Sequence, residues 1–125
     1  MLPLTEQIEN VAPYYEPTNS TWFLFTNHVG VTRDPATGKL AEFTDAIWVY
    51  WSHDLEQWDP AQKVVVLDGT NCLWSPQVIG LPAVQPFGNR LAIYYDGFAG
   101  YDIGHMGRDI GLAWLDLPLQ PPSGV

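Results

Sequence analysis

Residues 47–60, "IWVYWSHDLEQWDP", run five apolar or aromatic side chains into a polar turn that closes on Trp58. Ile47, Trp48, Val49, Tyr50 and Trp51 are the β-branched and aromatic types that suit a pleated surface, so the stretch opens as a strand. The strand then gives way to a corner. Asp54 is placed to bond the backbone of its own turn, Trp58 supplies packing, and His53 projects from the turn as a solvated side chain.

Other runs share this character. "TWFLFTNH" (21–28), "AIWVYWS" (46–52), "KVVVL" (63–67), "SPQVIGL" (75–81), "RLAIYYDG" (90–97) and "DIGLAWL" (109–115) are short, apolar and fenced by Asn, Asp, Gly or Pro. That pattern predicts strands. "KVVVL" and "AIWVYW" are almost continuously apolar, which predicts strands covered on both faces. No stretch has helical periodicity; "PLTEQIENVAP" is limited to one turn by its flanking prolines. The chain therefore reads as all-β.

The runs also repeat. "TWFLFTNH" matches "RLAIYYDG", and "DAIWVYWSHDL" (45–55) matches "RDIGLAWLDL" (108–117), with IxxxW kept as Ile47/Trp51 and Ile110/Trp114. Corresponding positions lie 69 residues apart in the first pair (21 to 90) and 63 in the second (45 to 108), with the slack in 29–44 and 98–107. Two copies of a four-strand hairpin unit read as consecutive β-propeller blades, 1–68 and 69–118. A β-sandwich is the alternative. Residues 119–125 are proline-rich and read as a tail leaving the fold.

Composition narrows the partners. Five basic residues against fourteen acidic ones give a net charge of −9 in 125 residues. Phosphate backbones and anionic membranes are disfavoured by that charge, so neither nucleic acid nor membrane is expected as a partner. A neutral ligand or a cation fits better. Cys72 is the only cysteine, which excludes an internal disulfide, and three scattered His give no zinc spacing. No metal or other cofactor is expected. The start "MLPLTEQIEN" lacks the basic and apolar regions of a signal peptide, and no apolar run approaches a bilayer span, so the chain reads as soluble with its location open.

The corner "SHDLEQW" (52–58) resembles the S-x-D-L-x-x-W turn that ends a blade strand in five-bladed β-propeller glycoside hydrolases, the family 43 and family 32 group. "YYEPTNSTWFLFTNH" is similar to the inner strands of such blades, and "LWSPQVI…GNRLAIYYDG" with "GRDIGLAWLDL" resembles the next blade. The resemblance implies acid-assisted glycosidic cleavage of a neutral carbohydrate. A five-bladed propeller needs roughly 200–250 residues on blade-repeat lengths, so this chain supplies about two blades. The nucleophile or base Asp of such enzymes comes from an early blade, and nothing here corresponds to it.

Glycoside cleavage needs one carboxyl group to protonate the leaving oxygen and another to attack or to activate water. By the resemblance Glu9, in "QIENVAP", is the candidate acid, with Glu16 second. Asp96 and the pair Asn27-His28 end equivalent inner strands, where polar side chains face a shared pocket, so His28 and Asp96 are expected to bind substrate. Arg108, and His105 in the Gly-rich loop "GHMGRD", are further pocket candidates. Trp74, where the second blade begins, offers an indole for stacking on the apolar face of a sugar. The remaining tryptophans, Trp22, Trp48, Trp51 and Trp114, are expected between sheets. "TRDP" (32–35) reads as a turn, and "DGTN" (68–71) as a hairpin turn. Two rival readings stay open: a non-catalytic carbohydrate-binding protein, and a fragment that self-associates through exposed blade edges.

Overall fold

The computed structural model describes residues 2–33, 35–98 and 108–122, in which nine strands form antiparallel sheets without an α-helix. After a 3-10 turn at Leu4–Glu6 come β1 (Ile8–Glu16), β2 (Thr21–His28), β3 (Gly30–Arg33), β4 (Leu40–Phe43), β5 (Ile47–Ser52) and β6 (Lys63–Leu67). Then come β7 (Ile79–Phe87), β8 (Arg90–Gly97) and β9 (Asp109–Asp116). The first sheet has the order β1-β2-β5-β6, the second β7-β8-β9, and β3-β4 is a separate hairpin inserted between β2 and β5.

The internal repeat is a structural one. β2 and β8 are the second strands of their sheets, and β5 and β9 the third. Both first strands carry a bulge at the same place: the β1–β2 register shifts between Glu9 and Val11, and the β7–β8 register between Gly80 and Ala83. Asn10 (φ 55°) and Leu81 (φ 53°) occupy the two irregularities in the left-handed region, where an extra residue is accommodated by a local kink.

Alternation gives each sheet two faces. Phe23, Phe25, Val49 and Trp51 of the first sheet meet Leu91, Ile93 and Tyr95 of the second, with Ile47, Ile79 and Cys72 completing a buried core. Fully burying an aliphatic or aromatic side chain of this kind contributes about 1.5–3 kcal/mol. Cys72 lies in this core with Sγ 3.4 Å from the Tyr95 hydroxyl.

Several details depart from the sequence expectations. β1 and β7 were hidden by Pro13, Pro82 and Pro86, which an edge strand tolerates because one side needs no backbone donor. As a result the strand expected over 75–81 starts at Ile79 and runs on to Phe87. β6 is an edge strand with a half-open face, not one covered on both sides. The second sheet has three strands among the described residues where four were expected. Residues 68–71 form a turn that leaves the first sheet, since β6 pairs only with β5 among the described residues and has no hairpin partner after it. The tail does not leave the fold at residue 119: Leu119 is buried, its N–H donates to Glu16 Oε1 at 2.8 Å, and its carbonyl accepts from Asn19 at 2.8 Å.

The corner at 52–58 folds as its residues dictate. Asp54 Oδ1 accepts the backbone N–H groups of Glu56 (2.8 Å) and Gln57 (2.6 Å), and Ser52 Oγ donates to the Gln57 carbonyl at 2.5 Å. His53 is exposed, and Trp58 turns its indole N–H onto the Leu55 carbonyl at 2.9 Å.

Candidate functional site

β1 and β7 start at the same end of the molecule, and the two bulges bring a group of polar side chains together there. In register, Glu9 lies opposite Asn27 on β2, and Gly80 opposite Asp96 on β8. Asn27 is fully buried and joins the sheets: its Nδ2 donates to Glu9 Oε2 at 3.4 Å, and its Oδ1 accepts the Leu81 N–H at 3.0 Å. The bulge backbone at Leu81 is thus aimed by Asn27, and Asn27 holds the Glu9 carboxylate.

At Gly80, one residue before Leu81, the bare backbone leaves room for its neighbours. A Cβ there would collide with Thr44 Oγ1 and stand 3.5 Å from Asp96 Oδ1. Asp96 Oδ2 accepts from Arg108 at 3.0 Å, and both side chains are largely buried. Asp96 Oδ1 and Thr44 Oγ1 are buried with no hydrogen-bond partner among the described residues. A buried polar atom without a partner costs about 1–3 kcal/mol, so this spot is suited to a ligand hydroxyl.

Trp74 lies at the same end. Its Nε1 donates to the Tyr95 hydroxyl at 2.9 Å, the two rings are 6.0 Å apart, and a Cβ at Gly97, opposite Ile79, would sit 2.7 Å from the indole edge. More than a third of Trp74 remains exposed. Glu9, Asp96, Arg108 and Trp74 therefore share one end of the paired sheets, while Glu9 itself is exposed. His105 lies outside the described residues.

His28 does not join them. Consecutive residues of a strand point to opposite faces, so Asn27 turns toward the second sheet and His28 away from it. His28 stacks on Trp48 with ring centroids 4.9 Å apart, and its Nε2 lies 2.7 Å from the Tyr50 hydroxyl oxygen. That hydroxyl donates to Glu6 Oε2, which also accepts from Lys63 at 2.5 Å. Since the Tyr50 proton goes to Glu6, the His28 Nε2–H donates to Tyr50, which fixes the imidazole tautomer. Burial, and then the nearby Lys63 ammonium, lower the His28 pKa against the opposing pull of Glu6 and Asp45. Burial and the bond to Glu6 raise that of Tyr50. This second polar cluster pins the 3-10 turn onto the outer face of the first sheet.

Other expectations are also revised. The pair Asn27-His28 and Asp96 end β2 and β8, the second strands of their sheets. Only Trp51 of the tryptophans expected between sheets enters the core, whereas Trp22, Trp48 and Trp114 lie on outer faces because their register places them there. Glu16 accepts from the Leu119 N–H, from the Thr18 N–H and hydroxyl and from Tyr14, which makes it a structural anchor. Sequence reading missed Thr44 and Gly80, which carry no motif, and it chose His28 over Asn27. Period-two alternation together with the Asn27–Asp96 equivalence was the signal that separated them. Among the described residues no cluster of His, Cys, Asp or Glu could hold a metal ion.

No family model matches the chain, and no curated protein sequence matches it. Its fold is similar to the solved structure of RS223-β-xylosidase, with a TM-score of 0.64 and 18% identity over 93% of this chain. The chain spans about a third of that structure's length, 34%. At that identity the likeness is one of fold alone.

Proposed function

We propose that this chain is part of a β-propeller glycosidase of the family 43 and family 32 group, acting on a neutral carbohydrate by acid-assisted cleavage. The two sheets are then consecutive blades. Supporting this reading is one observation above the rest: Asn27 ties the Glu9 carboxylate to the start of β7, beside Asp96 and Arg108, at the end where both sheets begin. Glu9 is the acid. Asp96 and Arg108 bind substrate hydroxyls, and Trp74 carries the sugar ring. His28, stacked on Trp48 and bonded to Tyr50, is left out of this proposed set. The second carboxyl group comes from outside this chain, as a pair is needed to cleave the bond. The likeness to a β-xylosidase makes a β-linked xyloside the first substrate to try.

The experiment is a xylobiose titration followed by tryptophan fluorescence, then xylobiose hydrolysis by the product of the whole reading frame. Trp74→Ala is expected to weaken binding about tenfold, and Glu9→Gln to lower kcat by about 10²–10⁴-fold. A kcat unchanged in Glu9→Gln sinks the catalytic assignment. The exposure of Glu9 favours a second reading, because an acid catalyst is ordinarily tuned by burial. In that reading the chain binds carbohydrate without cleaving it, and binding survives Glu9→Gln with no hydrolysis to lose.

A further inference from the structure

Trp74 lies on the connection between β6 and β7, at the end of the sheets where Glu9 and Asp96 also lie. No strand ladder fixes a side chain there, so its order has to come from its contacts. That order matters for a binding platform, because immobilising a loose side chain on binding costs affinity.

Two contacts hold one edge of the indole. Nε1 donates to the Tyr95 hydroxyl at 2.9 Å. Further along the same edge Cη2 lies against Gly97, where a Cβ would come within 2.7 Å. Tyr95 and Gly97 are two apart on β8 and so share a face, which is why both reach the same ring. Trp74 remains 38% exposed.

The hydroxyl that accepts this bond is itself fixed. Tyr95 is buried in the core, and its oxygen lies 3.4 Å from Cys72 Sγ. Its ring lies across its cross-strand neighbour, Gly111. A Cβ on Gly111 would come within 2.3 Å of Tyr95 Cζ and 2.7 Å of the hydroxyl, so the missing side chain makes room for the ring. A phenylalanine at position 95 would fill the same core space. What the tyrosine adds is the hydroxyl and its two polar contacts.

We propose that Tyr95 is a positioning residue, whose hydroxyl holds the Trp74 indole in one orientation so that a sugar meets a ring already ordered. The line of contact runs from Gly111 through Tyr95 to Trp74, from the core to the exposed ring. This role rests on the carbohydrate reading of Trp74 given above.

The test uses the product of the whole reading frame, with its tryptophan indoles labelled for nuclear magnetic resonance, and calorimetric titration with xylobiose. Circular dichroism shows whether Tyr95→Phe, which keeps the ring, is folded. In Tyr95→Phe the Trp74 indole proton, assigned by its loss in Trp74→Ala, is expected to exchange with water about tenfold faster. Xylobiose affinity is expected to fall about threefold, as for one lost hydrogen bond. In a Trp74→Ala background Tyr95→Phe is expected to add nothing, because the two residues act as one unit. An affinity that Trp74→Ala leaves unmoved overturns the carbohydrate reading, and the proposal falls with it. If Trp74→Ala weakens binding while Tyr95→Phe leaves the indole exchange unchanged, the proposal alone is overturned. Additive losses in the double variant overturn it as well, since Tyr95 then acts on binding by another route.

Discussion

Lys63 donates to Glu6 Oε2 at 2.5 Å, joining β6 to a turn 57 residues earlier in the chain. This bond, and after it that from Tyr50, holds the Glu6 carboxyl below its ordinary value of 4.5. A depressed carboxyl pKa contributes stability above the unfolded value and loses it as pH falls through the folded one. Glu6→Gln is expected to lower stability by about 1 kcal/mol at neutral pH. In urea titrations the difference from wild type should close below pH 4.5; a gap that persists there means the charge is irrelevant.

Glu16 makes the stronger case. Burial pushes its pKa up, but the hydrogen bonds from Leu119, Thr18 and Tyr14 together outweigh burial and hold it below 4.5. The sign is the same, with stability present above that value and lost on acidification. Glu16→Ala strands those donors and is expected to cost about 3 kcal/mol. Limited proteolysis should then cut near Leu119 well before the sheets, and a tail that stays protected would refute the anchoring role.

Asn27 links the sheets through the Leu81 amide. Asn27→Ala removes the acceptor and is expected to cost about 1–3 kcal/mol. Amide exchange at Leu81 should accelerate more than at its neighbours. Uniform acceleration along β7 would assign the loss to packing instead.

Gly80 is required by Thr44. A Cβ at position 80 falls on Thr44 Oγ1, so Gly80→Ala is expected to destabilise by about 1–3 kcal/mol. Adding Thr44→Ala should recover part of that loss in thermal unfolding, because it removes the nearest atom. No recovery would locate the strain in the backbone.

The fold was largely legible because strand-forming side chains and turn residues alternate clearly in β2, β5, β8 and β9. β1 and β7 were not, because Pro13, Pro82 and Pro86 argue against a strand until its edge position is known. The candidate site was legible as a set of residue types and not as an arrangement. Glu9, Asp96, Arg108 and Trp74 were named from the resemblance, and the structure brings them to one end. Choosing between Asn27 and His28 required knowing which face meets the second sheet. Thr44 and Gly80 act through a close approach between distant segments, which no local pattern records.

The lone thiol of Cys72 has a practical consequence. It is enclosed where the two sheets meet, against the Tyr95 hydroxyl, so a thiol reagent reaches it only when the sheets part. The labelling rate of the native protein therefore counts those partings and converts a single sulfur atom into a clock for the breathing of the whole core.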